Sequence, residues 1–180
     1  SDLINGNAAT CQQTVTINPM AIANAGDDDV ICQYTSGYQV TGATAQNYTS
    51  LLWTSTGSGT LLNPTTLNPT YVPQFGETGN VYLTLTAYGI TPCADVTDQM
   101  LLSIIPAPIV SAGADDSICE GEVFIPETAY GGYYNSLLWT TSGNGSFSNP
   151  SILNPVYTPG NEDIINGGVT LTLTAIGSAP

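Results

Sequence analysis

The sequence predicts an all-β chain of tandem antiparallel β-sandwich modules laid end to end, and three observations carry that expectation. The first is repetition. Ser50-Leu51-Leu52-Trp53-Thr54 returns as Ser136-Leu137-Leu138-Trp139-Thr140, and residues 81–89 (VYLTLTAYG) return as residues 169–177 (VTLTLTAIG), each copy displaced by 86–88 residues. That period exceeds the ~20–50 residues of a solenoid unit and suits one small sandwich domain of about 100 residues. The second is periodicity, since alternation with period 2 recurs and a helical period does not. The third is punctuation: Gly57-Ser58-Gly59, Gly143-Asn144-Gly145 and the Asn-Pro pairs mark turns between short apolar runs.

Each element follows in order. Residues 21–25 and 38–41 are short strand candidates. Leu51 and Trp53 share one face of the next strand, as Leu137 and Trp139 do in the second copy. This fixed place between leucines favours core filling over sugar stacking. Residues 60–62 and 70–72 follow. In residues 81–88, Val81, Leu83, Leu85 and Ala87 point inward and Tyr82, Thr84, Thr86 and Tyr88 outward; Val169, Leu171, Leu173 and Ala175 repeat the inward set. Such alternation is what a half-buried antiparallel strand requires. Residues 100–105 close the module. About seven short strands with regular turn signals are the pattern of an Ig-like sandwich.

Module one spans residues 20–105. Pro106-Ala107-Pro108 reads as a stiff linker, because proline pins φ and removes donors. Module two spans 106–180 and is expected to lack the counterpart of its final strand. Residues 1–19, with Cys11 ahead of residues 12–17, read as the terminal strand of a preceding module. The chain is thus expected to be part of a long array. The alternative is a fibre subunit in which residues 1–19 complete a neighbouring subunit by strand exchange.

Composition narrows function. There is no Lys, Arg or His against 14 Asp plus Glu, for a net charge of −14. No cation is present to neutralise a phosphate, which excludes nucleic acid and recruitment to anionic membrane surfaces. No run of about 18 apolar residues offers a membrane span. Without His, neither Ser-His-Asp nor Cys-His catalysis can be built, so no enzyme is expected. Thr, Ser, Asn and Gly make the surface polar, as in extracellular β-rich proteins.

The segments Asn24-Ala25-Gly26-Asp27-Asp28-Asp29-Val30-Ile31-Cys32 and Ser111-Ala112-Gly113-Ala114-Asp115-Asp116-Ser117-Ile118-Cys119 resemble the opening of Ig/PKD-like repeats in giant Bacteroidota surface proteins. Residues 137–159 (LLWTTSGNGSFSNPSILNPVYTP) and 169–175 (VTLTLTA) are similar to the same unit, the repeat of gliding-motility adhesins exported by type IX secretion. The resemblance covers residues 20–180. It implies a cell-surface, extracellular location, an extended filament, adhesion or gliding motility, and neighbouring modules of the same chain as partners.

Four sets of residues are candidate sites. Asp27, Asp28 and Asp29, mirrored by Asp115 and Asp116, could hold calcium through hard oxygen ligands; the plainer reading is a solvated turn. Ser117, in Asp116-Ser117-Ile118, fits a short O-glycosylation pattern. Tyr130, Tyr133 and Tyr134 flank Gly131-Gly132 and are the candidate contacts for a surface glycan. The cysteines read as disulfides of an oxidising compartment. An end-to-end geometry favours Cys32–Cys93 within module one, with Cys11 and Cys119 joined to partners outside the segment. Pairing of an early-loop cysteine across a module junction is the alternative.

Overall fold

The computed structural model describes residues 11–178, so much of the expected terminal strand at 1–19 lies outside the described residues. The described residues are all-β apart from one short helix. Its first half runs β1 (Ile22–Asn24), β2 (Asp29–Cys32), β3 (Tyr38–Gln39), β4 (Thr44–Gln46), β5 (Tyr48–Ser55), β6 (Thr60–Leu62), β7 (Thr70–Val72), β8 (Gly79–Gly89) and β9 (Val96–Ile105). The second half runs β10 (Ile109–Ser111), β11 (Tyr130–Gly132), β12 (Ser136–Thr141), β13 (Ser146–Phe147), β14 (Tyr157–Thr158), α1 (Asn161–Asn166) and β15 (Leu171–Ile176).

In the first half a four-stranded sheet, β2-β9-β8-β5, accompanies a three-stranded sheet, β3-β7-β6, and the β1-β4 pair. Alternation places Val81, Leu83, Leu85 and Ala87 of β8 inward at 0–2 % exposure, as their period of two requires. Met100, Leu102 and Ile104 of β9 bury the same way. They join Trp53, Tyr71, Val40 and Ala25 in one apolar cluster fed by all three sheets.

One pairing departs from the expected antiparallel plan. β2 runs parallel to β9, Asp29 opposite Leu102 and Cys32 opposite Ile105. The chain reaches that position by changing sheets just after β1. Gly26 turns it at φ +93, where a side chain would meet the Thr41 carbonyl. The Asp98 carboxylate accepts the Ala25 N–H at 2.7 Å, anchoring the crossing.

The second half repeats this plan in part. β12 pairs with β15, β13 with β14 and β10 with β11. Trp139 is buried among Leu137, Leu173 and Ala129. The inward set of the last strand is less sheltered than expected: Leu173 is buried, but Val169, Leu171 and Ala175 are only half-buried. Among the described residues no strand stands where β9 stands in the first half, and residues 116–119, the sequence counterpart of β2, form no strand.

The helix α1 was not expected, because six residues are too few to show a 3.6-residue period. Its ends explain it. The Asp163 carboxylate accepts the Gly160 N–H at 2.9 Å across the first turn. Gly167 then leaves the helix at φ +72 and donates its N–H back to Ile164.

Candidate functional site

The acidic residues do not converge. Asp28 Oδ1 accepts the Leu101 N–H at 2.8 Å, tying the start of β2 to β9. Asp29 Oδ1 accepts the Val30 N–H at 2.8 Å. Asp29 also faces the Tyr38 hydroxyl; burial first, and then this carboxylate, push the tyrosine pKa up to about 12. Asp116 Oδ1 takes the Ser117 N–H at 2.7 Å. Among the described residues no three His, Cys, Asp or Glu side chains come together as metal ligands. This corrects the calcium candidate at Asp27, Asp28, Asp29, Asp115 and Asp116: Asp28 is engaged by the distant Leu101 N–H of β9, and Asp29 and Asp116 each by the N–H of the next residue. Ser117 is exposed.

The Cys32–Cys93 pairing is also corrected. Cys32 lies opposite Ile105 at the last residue of β9, whereas Cys93 sits in the turn before its first residue. Ten residues of β9 separate them, about 30 Å at ~3.3 Å per residue. A disulfide needs Cα atoms within about 4.4–6.8 Å. Cys32 instead sits beside the linker, where its neighbour Gln33 accepts the Ala107 N–H at 3.0 Å. Cys93 lies where the chain comes in, its Sγ 3.5 Å from the Asn18 carbonyl. None of the four cysteines is bonded to another within the chain. Sequence position alone could not show this, because the displacement comes from the parallel register of β2.

Tyr130, Tyr133 and Tyr134 cluster around β11 and are 55, 66 and 39 % exposed. Tyr133 holds φ +56, and the Tyr134 ring lies against Gly131. All three side chains stand at the surface around Gly131-Gly132.

The best-built polar constellation is one that the sequence reading missed. Tyr71 donates its hydroxyl to Glu77 at 2.9 Å, while Glu77 accepts the Ser58 and Gln74 N–H groups at 2.6 and 2.9 Å. The second half reproduces the arrangement with an aspartate in place of the glutamate. Tyr157 donates to Asp163 at 2.6 Å, and Asp163 accepts the Asn144 and Gly160 N–H groups at 3.0 and 2.9 Å. The flanking glycines are required. A Cβ on Gly59 or Gly145 would run into the tyrosine hydroxyl, and one on Gly143 into the Asp163 carboxylate. Burial, reinforced by the carboxylate, raises both tyrosine pKa values. The Tyr157 hydroxyl first, and then the Gly160 N–H, hold Asp163 below the usual carboxylate range. A tyrosine followed six residues later by an acid in both copies was the available signal.

A groove of about 820 Å³ opens in the second half, between residues 112–124 on one side and Trp139 and residues 167–171 on the other. A smaller hollow beside Asp27, Asp28, Asp29 and Tyr38 marks the sheet crossing of the first half. No helix among the described residues is long and apolar enough to cross a membrane. No protein-family model matches the chain, and no curated protein matches it either.

Proposed function

We propose that the chain consists of tandem Ig-like, PKD-like modules stacked end to end. It would serve as a structural stalk or filament segment of an extracellular bacterial surface adhesin, projecting it or transmitting force in adhesion or gliding. The observation that carries this reading is where the chain enters and leaves the first module. Asn18 is tied to the β8–β9 turn, its Nδ2 donating to the Thr91 carbonyl at 3.2 Å. The chain leaves at Ile105, the far end of β9. The two points lie a full strand apart, so successive modules add along one axis rather than side by side.

The linker supports a fixed direction. Ala107 is hydrogen-bonded to Gln33 of the first module, and Pro108 rests against Gly177 of the second. Two prolines in three residues leave little freedom. The net charge of −14 discourages lateral packing. The Tyr71–Glu77 and Tyr157–Asp163 clusters pin a loop to the sheet within each module, which suits a part under load. Disulfides across module junctions, with Cys32 beside the linker, fit this architecture better than disulfides within modules. The partners would be neighbouring modules of the same chain.

Small-angle scattering on the monomeric chain tests the shape. A compact chain of 180 residues would have a radius of gyration of about 16 Å. Two stacked modules, each roughly 40 Å long from a strand of ~30 Å plus its turns, should give a value well above that and a maximum dimension near 80 Å. Little change is expected between low and moderate salt, because the linker sets the shape. A globular profile would remove the stalk reading.

A further inference from the structure

Two aromatic side chains stand in water at the linker end of the first half. Tyr34, in the turn between β2 and β3, is 60 % exposed, and Phe75, between β7 and β8, is 88 % exposed. Their rings pair at 5.1 Å between centroids, tilted by 39°. Gln33 holds the two loops together and beside the linker. Its Nε2 donates to the Gly76 carbonyl at 2.9 Å, and its Oε1 accepts the Ala107 N–H at 3.0 Å.

The second half shows that the fold does not need this pair. The turn after Cys119 is the same turn: Glu122 donates its N–H to the Cys119 carbonyl at 3.1 Å, as Thr35 does to Cys32 at 3.2 Å. Gly121 takes the position of Tyr34, at φ +87 against φ +68. A left-handed backbone is open to glycine and strained for a side chain as bulky as tyrosine. Counted from the tyrosine–carboxylate clusters that the halves share, Asn161 takes the position of Phe75. The first half thus carries backbone strain and two exposed rings where a glycine and an asparagine serve the same loops. Strain kept at an exposed place is the mark of a binding surface rather than of a structural turn.

The chemistry around the rings selects the partner. A sugar needs polar groups placed to fix its hydroxyls, and those of these loops are committed to holding the loops themselves. The Gln33 amide bridges as above, and the Thr35 hydroxyl donates to the Cys32 carbonyl at 2.6 Å. The Glu77 carboxylate takes the Tyr71 hydroxyl and the Ser58 and Gln74 N–H groups. What is left on offer is two ring faces in a negative field. Glu77 lies two residues from Phe75, and no basic side chain exists in the 180 residues to offset it.

We propose that the Tyr34–Phe75 pair is the seat of an arginine side chain from a basic segment of another protein. A guanidinium stacks on an aromatic face and is drawn to its negative quadrupole. The net charge of −14 attracts a cationic segment as it comes within a Debye length, about 8–10 Å at physiological salt. A second copy of these 180 residues cannot be the occupant, because it has no Lys, Arg or His to insert. Since Gln33 ties both loops to Ala107, the partner docks beside the linker. This inference goes beyond the stalk reading and does not depend on it.

Titration of the peptide acetyl-Gly-Arg-Arg-Gly-amide into the 180-residue chain at about 0.15 M salt, followed by NMR, tests it. The ring signals of Tyr34 and Phe75 should shift to saturation. The same peptide with citrulline for arginine, alike in shape but uncharged, should bind about five-fold more weakly or worse. Tyr34→Gly with Phe75→Asn copies the residues of the second half. That variant should melt within about 5 °C of the wild type. It should bind the arginine peptide about five- to thirty-fold more weakly, the size of two exposed cation–π contacts. Unchanged binding by the variant would mean that net charge alone holds the peptide, and would overturn the proposal. Equal binding of the citrulline peptide would do the same. Ring shifts with cellotetraose and none with the arginine peptide would make the pair a sugar platform instead. A larger drop in melting temperature would show that the rings serve the fold, and the proposal would fall. None of these outcomes alters the scattering profile of one copy, so the arginine seat and the stalk shape fail separately.

Discussion

Trp53→Ala should cost the first half roughly 3–5 kcal/mol, the range for removing a buried aromatic ring from a core. Trp53 is 2 % exposed and belongs to the cluster that holds the three sheets of that half together. Since small domains have a net stability of about 5–15 kcal/mol, the loss should leave the first half close to its unfolding midpoint at ordinary temperature. Urea unfolding followed by tryptophan fluorescence, now reporting Trp139 alone, together with far-ultraviolet dichroism, would separate the two halves. The second half should hold its own transition, because the two buried clusters share no residue. Trp53→Phe should be milder than Trp139→Phe. The Trp53 indole N–H has no partner among the described residues, whereas Trp139 Nε1 donates to the Leu153 carbonyl at 3.2 Å. A loss below about 1 kcal/mol for Trp53→Ala would mean that the ring is not a core element.

Tyr157→Phe should destabilise the second half by about 1.5–3 kcal/mol, the value of a hydrogen bond to a charged group. The hydroxyl is the main cause of the lowered Asp163 pKa, so its removal should also change the acid limb of the stability curve. The folded-state pKa of Asp163 is depressed. Its contribution is therefore complete above the unfolded carboxylate value of about 4 and is lost as pH falls below that. The tyrosines titrate in the opposite sense. With folded pKa values raised, Tyr38, Tyr71 and Tyr157 contribute fully below the unfolded value of about 10 and lose that contribution as pH climbs above it. Thermal melts of the wild type from pH 2 to 12 should fall at both ends. In Tyr157→Phe the drop below pH 4 should be shallower, since less of the Asp163 shift remains to be lost. Asp163→Asn should flatten that limb further, and an unchanged acid limb in both variants would show that the carboxylate is not held by these bonds.

The parts of this structure that the sequence revealed are those written in its periodicity. The inward set Val81, Leu83, Leu85 and Ala87 was legible because a strand exposes every second residue and the repeat said it twice. Strands β6 and β7 were legible from the turns around them. What was not legible depends on pairing across long distances. No local pattern shows that β2 joins β9 in parallel, so Cys32 was placed at the wrong end of its module. Asp28 and Asp29 suggested a cation because the backbone donors that occupy them, Leu101 and Val30, become neighbours only in the fold. Helix α1 rests on one capping carboxylate rather than on an amphipathic stripe. The tyrosine–carboxylate clusters lay between the two kinds of signal, since the spacing was visible twice and only its chemistry was overlooked.

The central claim is that the chain crosses its first module from end to end. The distance between Cys32 and Cys93 measures this directly, with spin labels on those two native thiols and Cys11 and Cys119 replaced by serine. The expected separation is about 30 Å, the length of β9. A separation of a few ångströms, or a Cys32–Cys93 disulfide in the oxidised protein, would contradict the register of β2 and with it the end-to-end stalk.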